Sequence, residues 1–129
     1  MSDKTILLVE DSADDEALTV RALQKGRVAN KLFIVRDGAE ALEFIFATGR
    51  YADRAGKPLP QVVLLDLKLP KVDGHEVLSE IRGNPRTELL PVIILTSSRE
   101  EQDLIKGYKG GANSYIVKPV DSIQFSKAV

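Results

Sequence analysis

Cysteine and tryptophan are absent from this 129-residue chain, and histidine and methionine each occur once. Without cysteine there is no disulfide framework, no thiolate nucleophile and no thiolate zinc site. That composition fits a reducing compartment, and a cytoplasmic location is expected. The single histidine, His75, gives no basis for a soft transition-metal centre. It falls near a helix start and reads as a surface residue. Excess charge is absent too: 18 basic residues face 19 acidic ones, for a net charge of −1. No nucleic-acid partner is therefore expected from bulk electrostatics. No apolar run reaches the length of a membrane span, so no membrane partner is expected. The opening Met1-Ser2-Asp3-Lys4 leads to only five further residues before Glu10, too few for a secretory leader. Internal repeats and low-complexity tracts are lacking. The length fits one domain, expected over 1–129.

What is present is a repeated alternation. Val62-Val63-Leu64-Leu65-Asp66 is an apolar run, rich in β-branched residues, that ends in a carboxylate. Such a run reads as a strand buried on both faces, which belongs in a parallel sheet covered by helices. Thr5–Val9, Leu32–Val35, Pro91–Leu95 and Ser114–Val117 read the same way. Between them lie helical patterns. The first begins at Ser12, an N-cap followed by Asp14, Asp15 and Glu16, with Ala13, Ala17, Val20 and Leu23 as its packed face. The second follows Asp37-Gly38, with Ala39, Leu42, Ile45 and Phe46 on one side and Gly49 closing it. The third follows Asp73-Gly74 with Val77, Leu78 and Ile81, and Asn84-Pro85 breaks it. A fourth, polar helix is expected around 99–109, carrying Leu104, Ile105 and Tyr108. A fifth, capped by Asp121 or Ser122, carries Ile123, Phe125 and Ala128 and stops at Val129 as if cut short. The stretch 50–61 is polar and rich in Gly and Pro; it reads as a long loop, mobile or partner-facing. Strand-helix alternation repeated five times predicts an α/β fold with a doubly wound parallel sheet.

In a parallel sheet the ligand crevice lies at the carboxyl ends of the strands. There the chain delivers Glu10 and Asp11, then Asp66, Thr96 and Lys118. Three carboxylates held close repel one another, and at least one pKa rises unless a cation intervenes. A hard divalent ion such as Mg²⁺ suits an all-oxygen donor set. The remaining hydroxyl and ammonium suit a phosphoryl group beside it. A carboxylate is also a competent nucleophile toward phosphorus.

Val9-Glu10-Asp11, Leu65 to Gly74, Ile94-Leu95-Thr96-Ser97 and Val117-Lys118-Pro119 together resemble the signature blocks of response-regulator receiver domains. These are the phosphoacceptor modules of two-component signalling. The resemblance spans nearly the whole chain, in order. It implies a five-stranded, flavodoxin-like sheet of order 2-1-3-4-5. It implies that Asp66 is the phosphoacceptor. Mg²⁺ would be held by Asp11, Asp66 and the backbone carbonyl of Lys68, with Glu10 reached through water. Thr96 would turn toward the phosphoryl group, Tyr115 would be the switch aromatic, and Lys118 would pair with phosphoryl oxygens. A cis peptide is implied at Lys118–Pro119. Lys68 and Ser98, two positions beyond Asp66 and Thr96, would tune the lifetime of the phosphorylated state. The expected donor is a sensor histidine kinase or histidine phosphotransfer protein. The expected output surface is the fourth helix, the last strand and the final helix, which would also serve a homodimer. Such a domain is a switch rather than an enzyme, with at most slow self-catalysed phosphorylation and dephosphorylation. Within the family, Leu69-Pro70-Lys71, the long loop before Val62 and Gly111–Tyr115 are similar to single-domain regulators paired with bacteriophytochrome-type kinases. Leu69 stands where methionine is common.

Other readings meet obstacles in the residues. Aspartate-nucleophile phosphatases carry a second Asp two residues on, where this chain has Lys68. A flavin carrier needs a phosphate cradle after its first strand, where this chain has Glu10-Asp11-Ser12-Ala13-Asp14-Asp15. A receiver cut from a larger DNA-binding regulator stays open. Asp14 and Asp15 read as solvated acids favoured by the helix dipole. Asp73 reads as a cap, with Gly74 supplying backbone freedom.

Overall fold

The computed structural model describes residues 5–26, 30–67, 69, 71–96 and 111–118. The expected helices around 99–109 and from 121, Leu104, Ile105, Tyr108, Ile123, Phe125, Ala128, Ser98, Lys68 and the Lys118–Pro119 peptide lie outside them. Five strands form one parallel sheet: β1 (Thr5–Val9), β2 (Lys31–Val35), β3 (Val62–Asp66), β4 (Val92–Thr96) and β5 (Ser114–Val117), in the order β2-β1-β3-β4-β5. Three helices are described: α1 (Ala13–Lys25), α2 (Gly38–Phe46) and α3 (Gly74–Arg82). This is the doubly wound order expected above.

Strand alternation sorts the core into two layers. Leu7, Val9, Val35, Val63, Leu65, Val92 and Ile94 point to one face and pack with Ala41, Phe44 and Ile45 of α2 and Val77, Leu78 and Ile81 of α3. Ile6, Leu8, Leu64, Ile93, Leu95 and Ile116 point to the other and pack with Ala22 and Leu23 of α1. Each fully buried aliphatic side chain contributes roughly 1.5–3 kcal/mol, so the strands dominate the core.

Two helices are rotated from their expected faces. On α1 the buried residues are Thr19, Ala22 and Leu23, whereas Ala13 and Ala17 are exposed. Counting only apolar side chains misplaces the stripe, because its upper part is a threonine and, one turn earlier, Asp15. On α2 the buried set is Gly38, Ala41, Phe44 and Ile45, while Ala39, Leu42 and Phe46 are half-buried. The large ring of Phe44 takes the inward position. Helix α2 ends with Ala47 in the left-handed region at φ 55°, ahead of Gly49.

The stretch expected to be a mobile loop is pinned. Gly49–Arg54 forms a short 3-10 helix. Tyr51 stacks edge-on to Phe44 at 5.2 Å and to Phe33 at 5.9 Å, and its hydroxyl donates to Glu40 at 2.5 Å. The Arg54 guanidinium sits 3.7 Å over the Phe44 ring. Arg50 forks onto the Glu43 carboxylate. Gln61 then donates its N–H to the Thr5 carbonyl at 2.7 Å, leading into β3.

Candidate functional site

Strand register decides which side chains meet. Val35, Val9, Leu65, Ile94 and Tyr115 lie in one row across the sheet. One residue further on, Asp66 pairs with Leu95, which pairs in turn with Ile116, and Glu10 follows Val9 on the other side of Asp66. Thr96 pairs with Val117 one row beyond, and the Lys118 N–H donates to the Thr96 carbonyl at 2.8 Å. The strand ends therefore deliver two carboxylates, a hydroxyl and an ammonium to a single edge.

Glu10 is fully buried, Asp66 is 6% exposed and Thr96 is buried, whereas Asp11 is exposed. Oxygens of Glu10, Asp11 and Asp66 all lie within 4.8 Å of one another. That set, two buried acids and one open to solvent, fits a hard divalent cation with an access side. The Lys118 ammonium is drawn into the same edge. Its Nζ lies 2.7 Å from Glu10 Oε1, 2.8 Å from Asp66 Oδ2 and 2.9 Å from Asp15 Oδ2.

The electrostatics follow from burial and crowding together. Burial, reinforced by the hydrogen bond and charge of Asp66, pushes the Glu10 carboxyl up to about 7, against the opposing pull of Lys118. Burial alone would lower the Lys118 ammonium, but its hydrogen bonds to Asp66, Glu10 and Asp15 outweigh that and leave it raised.

Local structure holds the acids in place. Ser12 Oγ accepts from the Asp15 N–H and caps α1, while the Ser12 N–H donates to Glu10 Oε2 at 3.3 Å. Asp73 Oδ1 caps α3, accepting from the N–H groups of His75 and Glu76. Gly74 serves by close approach rather than by backbone freedom. A Cβ there would run into the Asp66 carbonyl and the Leu67 backbone. Gly38 is packed in the same way against the Val72 carbonyl. The two helix starts thus grip the chain that follows Asp66.

Of the residues expected at the site, Glu10, Asp66 and Lys118 are in contact, and Asp11 joins the acidic cluster. Thr96 stands at the adjoining strand end. Tyr115 lies two rows back from Thr96's partner and is 38% exposed. His75 is half-buried rather than on the open surface. Glu10 also pairs directly with Lys118. Asp14 is exposed, as expected. Asp15 is the residue that sequence reasoning missed. Its place in the first turn reads as a solvated acid, yet it ion-pairs with Lys118. The available signal was its place one turn before Thr19, at the head of the buried stripe of α1.

Comparison with known proteins agrees with this geometry. The family model for the response regulator receiver domain matches residues 6–129. The response regulator Rcp1 of Synechocystis is 44% identical over 115 residues, covering 89% of this chain and 76% of Rcp1. The solved Mn(2+)-bound form of Rcp1 is 40% identical, with a TM-score of 0.82 over 97% of this chain and 88% of that one. The bacteriophytochrome response regulator AtBRR is 52% identical, with a TM-score of 0.90 over 99% of this chain and 91% of that one. The phosphorylated cyanobacterial phytochrome response regulator RcpA is 38% identical, with a TM-score of 0.83 over 98% of this chain and 89% of that one. Sheet order, acidic edge and these likenesses converge, and the chain belongs to the response-regulator receiver domains of two-component signalling.

Proposed function

We propose that Asp66 is the phosphoacceptor of this receiver. A carboxylate oxygen of Asp66 forms the new O–P bond as the N–P bond of a phosphohistidine donor breaks. The observation that carries this reading is the Lys118 ammonium 2.8 Å from Asp66 Oδ2, inside a cluster of three carboxylates. Phosphoryl transfer asks the protein mainly for positioning and charge neutralisation. Lys118 supplies a point charge for a phosphoryl oxygen, and Thr96 a hydroxyl donor at the neighbouring strand end. Asp11 and Asp66, with the Lys68 carbonyl and with Glu10 through water, would hold Mg²⁺. The ion would offset negative charge on the transferring group. The Mn(2+)-bound Rcp1 supports a divalent ion in this family, and the acidic cluster here fits one.

The donor is a sensor histidine kinase or a histidine phosphotransfer protein, in the cytoplasm. Among the described residues no helix is long and apolar enough to cross a membrane. Charge at Asp66 draws Thr96 inward, and the half-exposed Tyr115 follows. This biases the surface at β5 toward partner docking or a homodimer.

Incubation with acetyl phosphate and Mg²⁺, read by intact mass, tests the proposal. Wild type is expected to gain one phosphoryl group and Asp66→Asn none. No Mg²⁺-dependent gain, or an equal gain in the variant, would overturn it.

A further inference from the structure

Lys118 is held by one carboxylate more than the acidic cluster provides. An ammonium has three N–H donors, and in this structure three carboxylates surround them: Glu10, Asp66 and Asp15. Glu10 and Asp66 also belong to the cluster that suits a divalent cation, together with Asp11. Asp15 does not. It comes from the first turn of α1, where the Ser12 cap fixes its backbone, and it approaches Lys118 from the solvent side with its side chain 37% exposed against 9% for Lys118.

A divalent ion placed among Glu10, Asp11 and Asp66 would take up much of their charge and repel an ammonium a few ångströms away. The two inner acids would then hold Lys118 less strongly. The outer acid keeps its full charge for the lysine. We infer that Asp15 is a positioning residue that anchors the Lys118 ammonium beside Asp66 while the acidic cluster is engaged with a cation. The Asp15 side of the pair is 37% exposed and screened by solvent, so its effect falls more on where Nζ sits than on fold stability. The inference rests on the phosphoacceptor reading of Asp66, because its consequence is the rate at which Asp66 is modified.

The test uses the ¹⁵N-labelled full chain and two readouts. The first is the Lys118 NH₃⁺ proton–nitrogen correlation, assigned by its loss in Lys118→Met, without and with Mg²⁺. The second is the rate of phosphorylation by acetyl phosphate at saturating Mg²⁺. In wild type the Lys118 signal is expected to persist when Mg²⁺ is added. In Asp15→Ala, and in the near-isosteric Asp15→Asn, it is expected to persist without Mg²⁺ and to be lost by exchange with it. Both variants should be phosphorylated about five- to tenfold more slowly, the scale of one weakened charge-assisted hydrogen bond. Asp15→Glu, which keeps the charge, should recover most of the rate and the signal. A purely structural role for Asp15 would move the signal equally in both conditions. That outcome, or variants matching wild type in signal and rate, overturns the anchor. A wild type that takes up no phosphoryl group overturns the phosphoacceptor reading instead, and the Mg²⁺ dependence of the Lys118 signal still decides the anchor.

Discussion

Two regions of this molecule bury polar groups in opposite ways. At the carboxyl edge of the sheet, Glu10, Asp66 and Lys118 bring two buried acids to one ammonium, with Asp11 and Asp15 at the margin. Beside β2, Phe33, Phe44, Tyr51 and Arg54 form a bracket in which the tyrosine hydroxyl and the guanidinium each have their own partner. The bracket matches donors to acceptors around an apolar ring. The edge buries acids and crowds them, and burial first, then the neighbouring Asp66, pushes the Glu10 carboxyl up to about 7. The difference separates scaffold from switch. Crowded charge is a standing cost that a cation can relieve, while a matched bracket has nothing to gain from a ligand.

Three substitutions sharpen that contrast. The largest effect is expected in the bracket. Phe44 is fully buried and carries both the Tyr51 and Arg54 contacts, so Phe44→Ala should cost about 3–5 kcal/mol in urea unfolding. A cost below about 1 kcal/mol would show that the bracket is ornamental to stability.

At the edge the sign should reverse. Asp66→Asn keeps the side chain's shape while removing one of the crowded charges. Without divalent cation it should stabilise the protein, on the order of 1 kcal/mol at pH 8. Added Mg²⁺ should then raise the unfolding midpoint of wild type more than that of the variant. A destabilised Asp66→Asn would remove the claim that this edge stores repulsion.

The smallest effect is the most specific. Burial, then the hydrogen bond to Glu40, pushes the Tyr51 hydroxyl up to about 12. A tyrosine raised above its unfolded value near 10 contributes stability that is present below pH 10 and lost as pH climbs toward 12. Tyr51→Phe should therefore cost about 1 kcal/mol at pH 8, with the gap to wild type closing by pH 12. Absorbance titration of the phenols should lose its latest phase in the variant. If that phase survives Tyr51→Phe, the bond to Glu40 is not what holds the proton.

The two regions also differed in how plainly the sequence showed them. The edge was legible because each strand is an apolar run that stops in a polar residue. In a parallel sheet those stops fall on one side, so Glu10, Asp66, Thr96 and Lys118 are placed together by topology alone. Asp15 escaped because a polar side chain at the head of a helix reads as solvated, whereas the α1 stripe runs inward through Asp15, Thr19 and Ala22. The bracket escaped for another reason. A 3-10 turn has no helical hydrophobic period to detect, and Arg54 lying on Phe44 joins residues whose pairing no local pattern announces. The role of Gly74 is hidden for a similar cause: close approach of two backbones is a property of the folded chain, invisible in a tripeptide.

Gly38 and Gly74 open α2 and α3 against the backbone on either side of the segment leaving Asp66. Neither has a side chain to lose, so a survey that deletes functional groups would pass over both. Addition is the damaging direction. One methyl at Gly74 would press on the carbonyl of Asp66 itself, and one at Gly38 on that of Val72. The outline of the pocket is drawn partly by atoms that are missing, and alanine, the mildest replacement elsewhere, is a bulky one at these two positions.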